Sequence, residues 1–187
     1  MAVSVNTPAD VINASLAKMG YKMRISDPFD GSLAAKKALD LYGETRDALL
    51  ASRIWPFARR YAAAVASGQT APLPWAFEWN YPSDGIRILE VFNTVYTGSP
   101  TDPVPTVWTD YDDAVAGKTI LTQIGSVTLL YTARVTDPTK WVPGFTDALI
   151  GRLAKRMSKL LVDVNLAKLE MADDTPEAEM EDAEEEG

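Results

Sequence analysis

The hydrophobic pattern of this chain changes period twice, and that change limits its fold more than any other feature. Up to residue 53 apolar side chains recur at helical spacing. From 60 to 135 they gather in short runs rich in Val, Ile, Thr, Tyr, Phe and Trp, and from 143 the helical spacing returns. A period near 3.6 buries one stripe of a helix, whereas short β-branched and aromatic runs divided by turn residues make strands. The order is therefore helices, a β-rich stretch, then a helix.

The first helix is expected over 8–20. Thr7 caps it, Pro8 takes the first helical position, Asp10 places negative charge in the first turn, and Gly20 ends it. A second helix is expected over 32–53. Leu33 or Ala34, Ala38, Leu41, Thr45, Ala48, Leu49 and Ser52 form one face, and Lys36, Lys37, Asp40, Glu44 and Asp47 the other. Gly43 costs about 1 kcal/mol in the middle of this helix, and the small residues around it invite close approach by a neighbouring helix. Pro56 stops the helix, having no amide donor and disfavouring helical backbone at Trp55.

Strands are expected over 60–66, 76–81, 86–97, 106–111, 118–123 and 126–135. The last helix, 143–170, carries an apolar stripe of Leu149, Ile150, Leu153, Met157, Leu160, Leu161 and Val164. The resulting expectation is an α+β chain that is mainly α. A helical bundle made by the N- and C-terminal helices holds a β-rich insert, 60–135, as a protruding appendage. One domain covers 1–171, and an extended acidic tail covers 172–187.

Composition narrows function by exclusion. The chain has 187 residues with no His and no Cys. That removes Ser-His-Asp and Cys-His nucleophilic systems, imidazole and thiolate metal sites, and disulfides. Neither a cofactor nor catalysis is expected. No window approaches 18 consecutive apolar residues, and the N-terminus lacks the basic start and apolar run of a signal peptide, so no membrane partner is expected. The net charge of −8 is unevenly spread: before Glu170 lie all 18 basic residues and 16 acidic ones, and from Glu170 onward come 10 acidic residues and no basic one.

Several clusters could carry chemistry, and each has a plainer reading. Asp110-Tyr111-Asp112-Asp113 could hold a divalent cation, but a strand running into a turn accounts for it. Glu78, Asp84 and Glu90 could serve glycoside hydrolysis, although an acid-rich chain produces such triples freely. Arg152, Lys155, Arg156 and Lys159 form a basic stripe on the last helix. It could meet nucleic-acid phosphates or acidic segments of a neighbouring subunit, or simply be solvated. Tyr61, Trp75, Phe77, Trp79, Tyr81, Phe92, Tyr96, Trp108 and Tyr111 crowd the strand region, either as its core or partly as an interface. The tail could be a solubility device, an electrostatic guard or a docking peptide.

Several segments, in order, resemble a known family. They are Val11 to Gly20 in the first helix; Asp30, Ser32 and Ala34-Ala35; Arg46-Asp47-Ala48-Leu49-Leu50; and Trp55-Pro56-Phe57-Ala58. Tyr81-Pro82-Ser83-Asp84-Gly85-Ile86-Arg87-Ile88 follows, then Tyr131, Asp137-Pro138, Trp141, Phe145, Ala148-Leu149 and Leu153-Ala154. Together, over roughly 9–165, they resemble the head-to-tail adaptors of short-tailed phages. The resemblance implies a non-enzymatic virion protein, assembled in the host cytoplasm, whose mainly helical bundle forms a ring of about twelve copies beneath the portal. Its implied partners are the portal protein, a downstream tail or nozzle protein, further copies of itself, and DNA passing through the channel without sequence-specific binding.

By analogy the acidic end, Glu177, Glu179, Glu181, Asp182, Glu184, Glu185 and Glu186, is expected to dock on the portal. Thr97, Ser99, Thr101 and Asp102, in loop 97–106, are expected to face the tail. The basic stripe is expected at a subunit interface or in the channel. Two alternatives stay open: a virion-associated, carboxylate-dependent cell-wall hydrolase, and a completion protein of a long-tailed phage.

Overall fold

The computed structural model describes residues 6–20, 24, 33–93 and 105–173, with side chains described for these except at 33–37 and 160–173. Three helices are present among the described residues: α1 (Pro8–Lys18), α2 (Leu33–Ser52) and α3 (Pro143–Asp173). Six strands lie between the last two: β1 (Arg59–Ala63), β2 (Phe77–Asn80), β3 (Gly85–Asn93), β4 (Trp108–Asp113), β5 (Gly117–Thr122) and β6 (Val127–Ala133). Every expected helix and strand is found, with its ends shifted by a few residues.

Local chemistry explains the boundaries. The Thr7 side chain accepts from the Asp10 amide, and the Asp10 carboxylate accepts from the Thr7 amide at 2.9 Å, a reciprocal capping box. At the other end Gly20 adopts a φ of +84° and donates to the Ala17 carbonyl. After α2, Pro56 opens a single 3-10 turn, Pro56–Ala58, that leads directly into β1.

The strands form two antiparallel three-stranded sheets, ordered β1-β6-β3 and β2-β5-β4. These are joined along both sides. Beyond β1 the chain passes to the other sheet, where Ala66 bridges Trp79 and the Asn80 amide donates to the Val65 carbonyl at 2.8 Å. Ahead of β4, Pro105 bridges Phe92, and the Thr106 amide donates to the Val91 carbonyl at 2.8 Å. The sheets thus fold on each other as a small, barrel-like sandwich around Trp79, Ile88, Val91, Ile120, Val127, Leu129, Tyr131 and Ala133.

This corrects the expected architecture. The chain is not a mainly helical bundle with a β appendage; it pairs three helices with two three-stranded sheets that bury a core of their own. The reason is non-local. Each strand segment alone buries little, but β1 pairs with β6 and β2 with β5 across long stretches of sequence, so their inner faces meet.

A second core lies between the helices. α1 and α2 both pack on α3, burying Val11, Ile12, Leu16, Tyr42, Leu49, Leu50, Leu149, Leu153 and Met157. The buried face of α2 is Ala38, Tyr42, Thr45 and Leu49, while the expected core positions Ala48 and Ser52 are exposed. Tyr42 is buried in this core, its ring 6.5 Å from that of Trp141 just ahead of α3. Gly43, expected to admit a neighbouring helix, has nothing within 4 Å of where a Cβ would stand. Replacing it by Ala is therefore expected to stabilise the fold by roughly 0.5–1 kcal/mol. A lowered urea midpoint for Gly43→Ala would show that the space is used.

The helical core and the sandwich are tied together at the C-terminal end of α2. Arg87 on β3 donates to the Ala51 carbonyl at 3.2 Å. Arg134, just past β6, pairs with Asp47 at 2.8 Å. Four rings close the same junction: Phe145 is fully buried with its centroid 4.9 Å from Trp55, 5.2 Å from Phe57 and 5.0 Å from Trp141.

Candidate functional site

The structure separates most of the residues singled out from sequence. Glu78 lies on β2, on the face turned away from the sandwich core, and Glu90 lies on β3 opposite Leu130, on the outward face of the other sheet. Asp84 sits in the turn before β3, where its carboxylate accepts from the Tyr131 hydroxyl at 3.0 Å. These three carboxylates are therefore not assembled as a pair about one cleft.

The acidic run on β4 is divided by strand alternation. Asp110 and Asp112 point to one face, and Tyr111 and Asp113 to the other. Asp113 accepts from the amides of Ala116, at 2.7 Å, and Val115, at 2.8 Å, which holds its carboxyl below the usual carboxylate range. It shapes the β4–β5 turn, which Gly117 closes with a φ of +72°. Among the described residues no group of three or more acidic side chains is placed to hold a metal ion, and no helix is long and apolar enough to cross a membrane.

The aromatic residues divide between core and surface. Trp79 is buried and donates to the Thr122 hydroxyl at 2.9 Å. Tyr61 is 61% exposed and stacks on Phe92 across the outer face of the β1-β6-β3 sheet. Tyr96 lies outside the described residues, as do Thr97, Ser99, Thr101 and Asp102 of the expected tail-facing loop. The expected portal-docking residues, Glu177, Glu179, Glu181, Asp182, Glu184, Glu185 and Glu186, also lie outside them.

The basic stripe is the one candidate set that the structure keeps together. Arg152, Lys155, Arg156 and Lys159 are all exposed on α3. Their partners differ, however. Arg156 reaches across to α2, pairing with Glu44 at 2.8 Å and donating to the Thr45 hydroxyl at 3.0 Å. It clamps two helices of the same chain. Arg152, Lys155 and Lys159 make no ion pair among the described residues.

Lys18 joins them from α1. A Cβ placed on Gly151 would stand 3.5 Å from its Nζ, so the ammonium lies over α3 one turn before Lys155. Sequence spacing within α3 could not reveal this fourth cation, because only the packing of α1 on α3 brings it there.

Polar atoms left without partners in the interior are the other feature that pattern reading missed. The hydroxyls of Tyr42 and Thr132 and both carboxylate oxygens of Glu78 are buried with no hydrogen-bond partner among the described residues. Burial pushes the Tyr42 hydroxyl above the ordinary phenol range, with Arg46 opposing. Burial also pushes Tyr131 up, and its bond to Asp84 and the charge there add to the rise against Arg60.

A raised folded value means that both rings contribute their full stability below about pH 10, the unfolded range, and lose it as the pH climbs through the folded values. The urea midpoint is expected to fall as the pH rises above about 10. In a Tyr42→Phe, Tyr131→Phe chain that fall should be shallower, and an equally steep fall would remove these two groups as its cause.

No protein-family model and no curated protein matches this chain.

Proposed function

We propose that this protein is a structural, non-enzymatic head-to-tail adaptor of a tailed-phage virion, assembling as a ring of about twelve copies beneath the portal. The observation that carries the reading is where the family-like segments meet. Trp55-Pro56-Phe57, Trp141 and Phe145 form one aromatic cluster. Asp47 of the α2 segment pairs with Arg134, and Asp84 of the Tyr81-to-Ile88 segment takes the Tyr131 hydroxyl. Segments far apart in sequence thus meet: the aromatic cluster and the Asp47–Arg134 pair join helices to sandwich, and the Asp84–Tyr131 bond ties a turn to β6 within the sandwich. A two-part subunit of this kind suits a connector, which must present different faces to the components above and below.

The reading is tested by mass. The purified chain is expected to be a monomer or weak oligomer, and to form a ring of about twelve copies when mixed with purified portal rings. A stable dimer in both conditions would end the proposal. The hydrolase alternative is separated by replacing Glu78, Asp84 and Glu90 singly and assaying cell-wall lysis. Loss of a robust activity on one replacement would favour it.

A further inference from the structure

We infer that the cationic ridge of α1 and α3 is a docking surface for the acidic C-terminal segment of a second copy of this chain. The ridge consists of Lys18, Arg152, Lys155 and Lys159, all exposed. Spacings of three and four residues along α3 bring the last three to one face, where like charges repel one another. Glu44, across the α2 seam, is taken by Arg156, while Asp147, one turn before Gly151, and Asp163, one turn after Lys159, mark the two ends of the ridge. An incoming anionic segment would therefore relieve repulsion as well as gain attraction.

The occupant is chosen by charge and by reach. Residues 170–187 hold 10 acidic groups and no basic one, while the rest of the chain is nearly balanced. The helix itself separates that segment from its own ridge. α3 continues for 14 residues beyond Lys159 to Asp173, which at 1.5 Å per residue carries the chain about 21 Å past Lys159 and about 31 Å past Arg152. A segment turning back at Asp173 gains at most about 3.4 Å per residue, so Glu177 stops about 14 Å along and falls short of Lys159. In the same molecule Glu181 to Glu186 could reach Lys159, and Glu184 to Glu186 Arg152, only by running back fully extended along α3. On a neighbouring copy every acidic residue from Glu177 to Glu186 is available. Such a contact joins two different surfaces, so it can repeat into a ring or an open chain, or close as a reciprocal exchange between two copies.

The test uses the full chain alone, with no portal or tail component, so its failure is separate from failure of the adaptor reading. Sedimentation at low salt is expected to show concentration-dependent association. This should return to monomer at about 0.15 M salt, where the screening length falls to about 8 Å. Arg152→Glu, Lys155→Glu and Lys159→Glu combined should leave a folded monomer at low salt, as should truncation after Asp173. A chain with Glu177, Glu179, Glu181, Asp182, Glu184, Glu185 and Glu186 all changed to Lys should also be monomeric alone, yet associate with the ridge-reversed chain truncated after Asp173, which keeps no acidic segment of its own to pair with the added lysines or with the native ridge. That rescue by mixing is the decisive support. A wild type monomeric at every salt concentration, association that survives truncation, or a mixture of two folded variants that stays monomeric would each overturn the proposal.

Discussion

Replacing Phe145 by alanine is expected to cost about 3–5 kcal/mol, a large part of the 5–15 kcal/mol that a domain of this size has in total. The side chain is fully buried and meets Trp55 and Trp141 edge-on, with Phe57 against a third side. Such geometries add to simple burial, since the positive edge of one ring faces the negative face of another. Both indoles are anchored: Trp55 donates to the Leu49 carbonyl and Trp141 to the Val135 carbonyl, each at 3.0 Å. They cannot collapse into the cavity without breaking those bonds. Urea unfolding followed by helical and tryptophan signals should show the loss, with Phe145→Leu losing much less. A cost below about 1 kcal/mol would mean that the cluster repacks freely and is not the junction's keystone.

The second large effect has the opposite sign. Glu78→Met is expected to stabilise the fold by about 1–3 kcal/mol, the range for removing a buried polar group that has no partner. Glu78 is 4% exposed, both of its carboxylate oxygens lack partners among the described residues, and its strand neighbour is the buried Leu121. Methionine keeps the volume and flexibility while removing the desolvation cost. Glu78→Gln should gain less, because its amide remains polar. The same replacement bears on function: a structural adaptor should gain stability and keep its assembly, whereas a hydrolase built on Glu78 would lose its activity. A destabilised Glu78→Met chain would show that this carboxylate is held by a favourable partner.

What could be read from sequence follows the range of the interactions concerned. The Thr7, Pro8 and Asp10 cap was legible because all its partners lie within four residues. The six strands were legible because β-branched and aromatic runs between turn residues favour extended backbone locally. The weight of the β half was not, because a strand's contribution depends on which distant strand covers it. The same holds for single side chains. Arg156 looks equivalent to Arg152 and Lys159 until α2 brings Glu44 beside it, and Ala48 rather than Tyr42 is expected in the core until the packing of α2 on α3 reverses the choice. Lys18 entered the ridge through packing alone.

The sequence by itself therefore determined the elements, their order, the absence of histidine and cysteine chemistry, and the concentration of negative charge after Glu170. Tertiary structure decided that two three-stranded sheets close around their own core, that Glu78, Asp84 and Glu90 do not converge, and that one of the four cations of the α3 stripe is spent on an internal clamp. The division has one physical cause. Backbone preference and net charge are set by neighbours along the chain, while pairing, burial and the partner of a charge are set by neighbours in space.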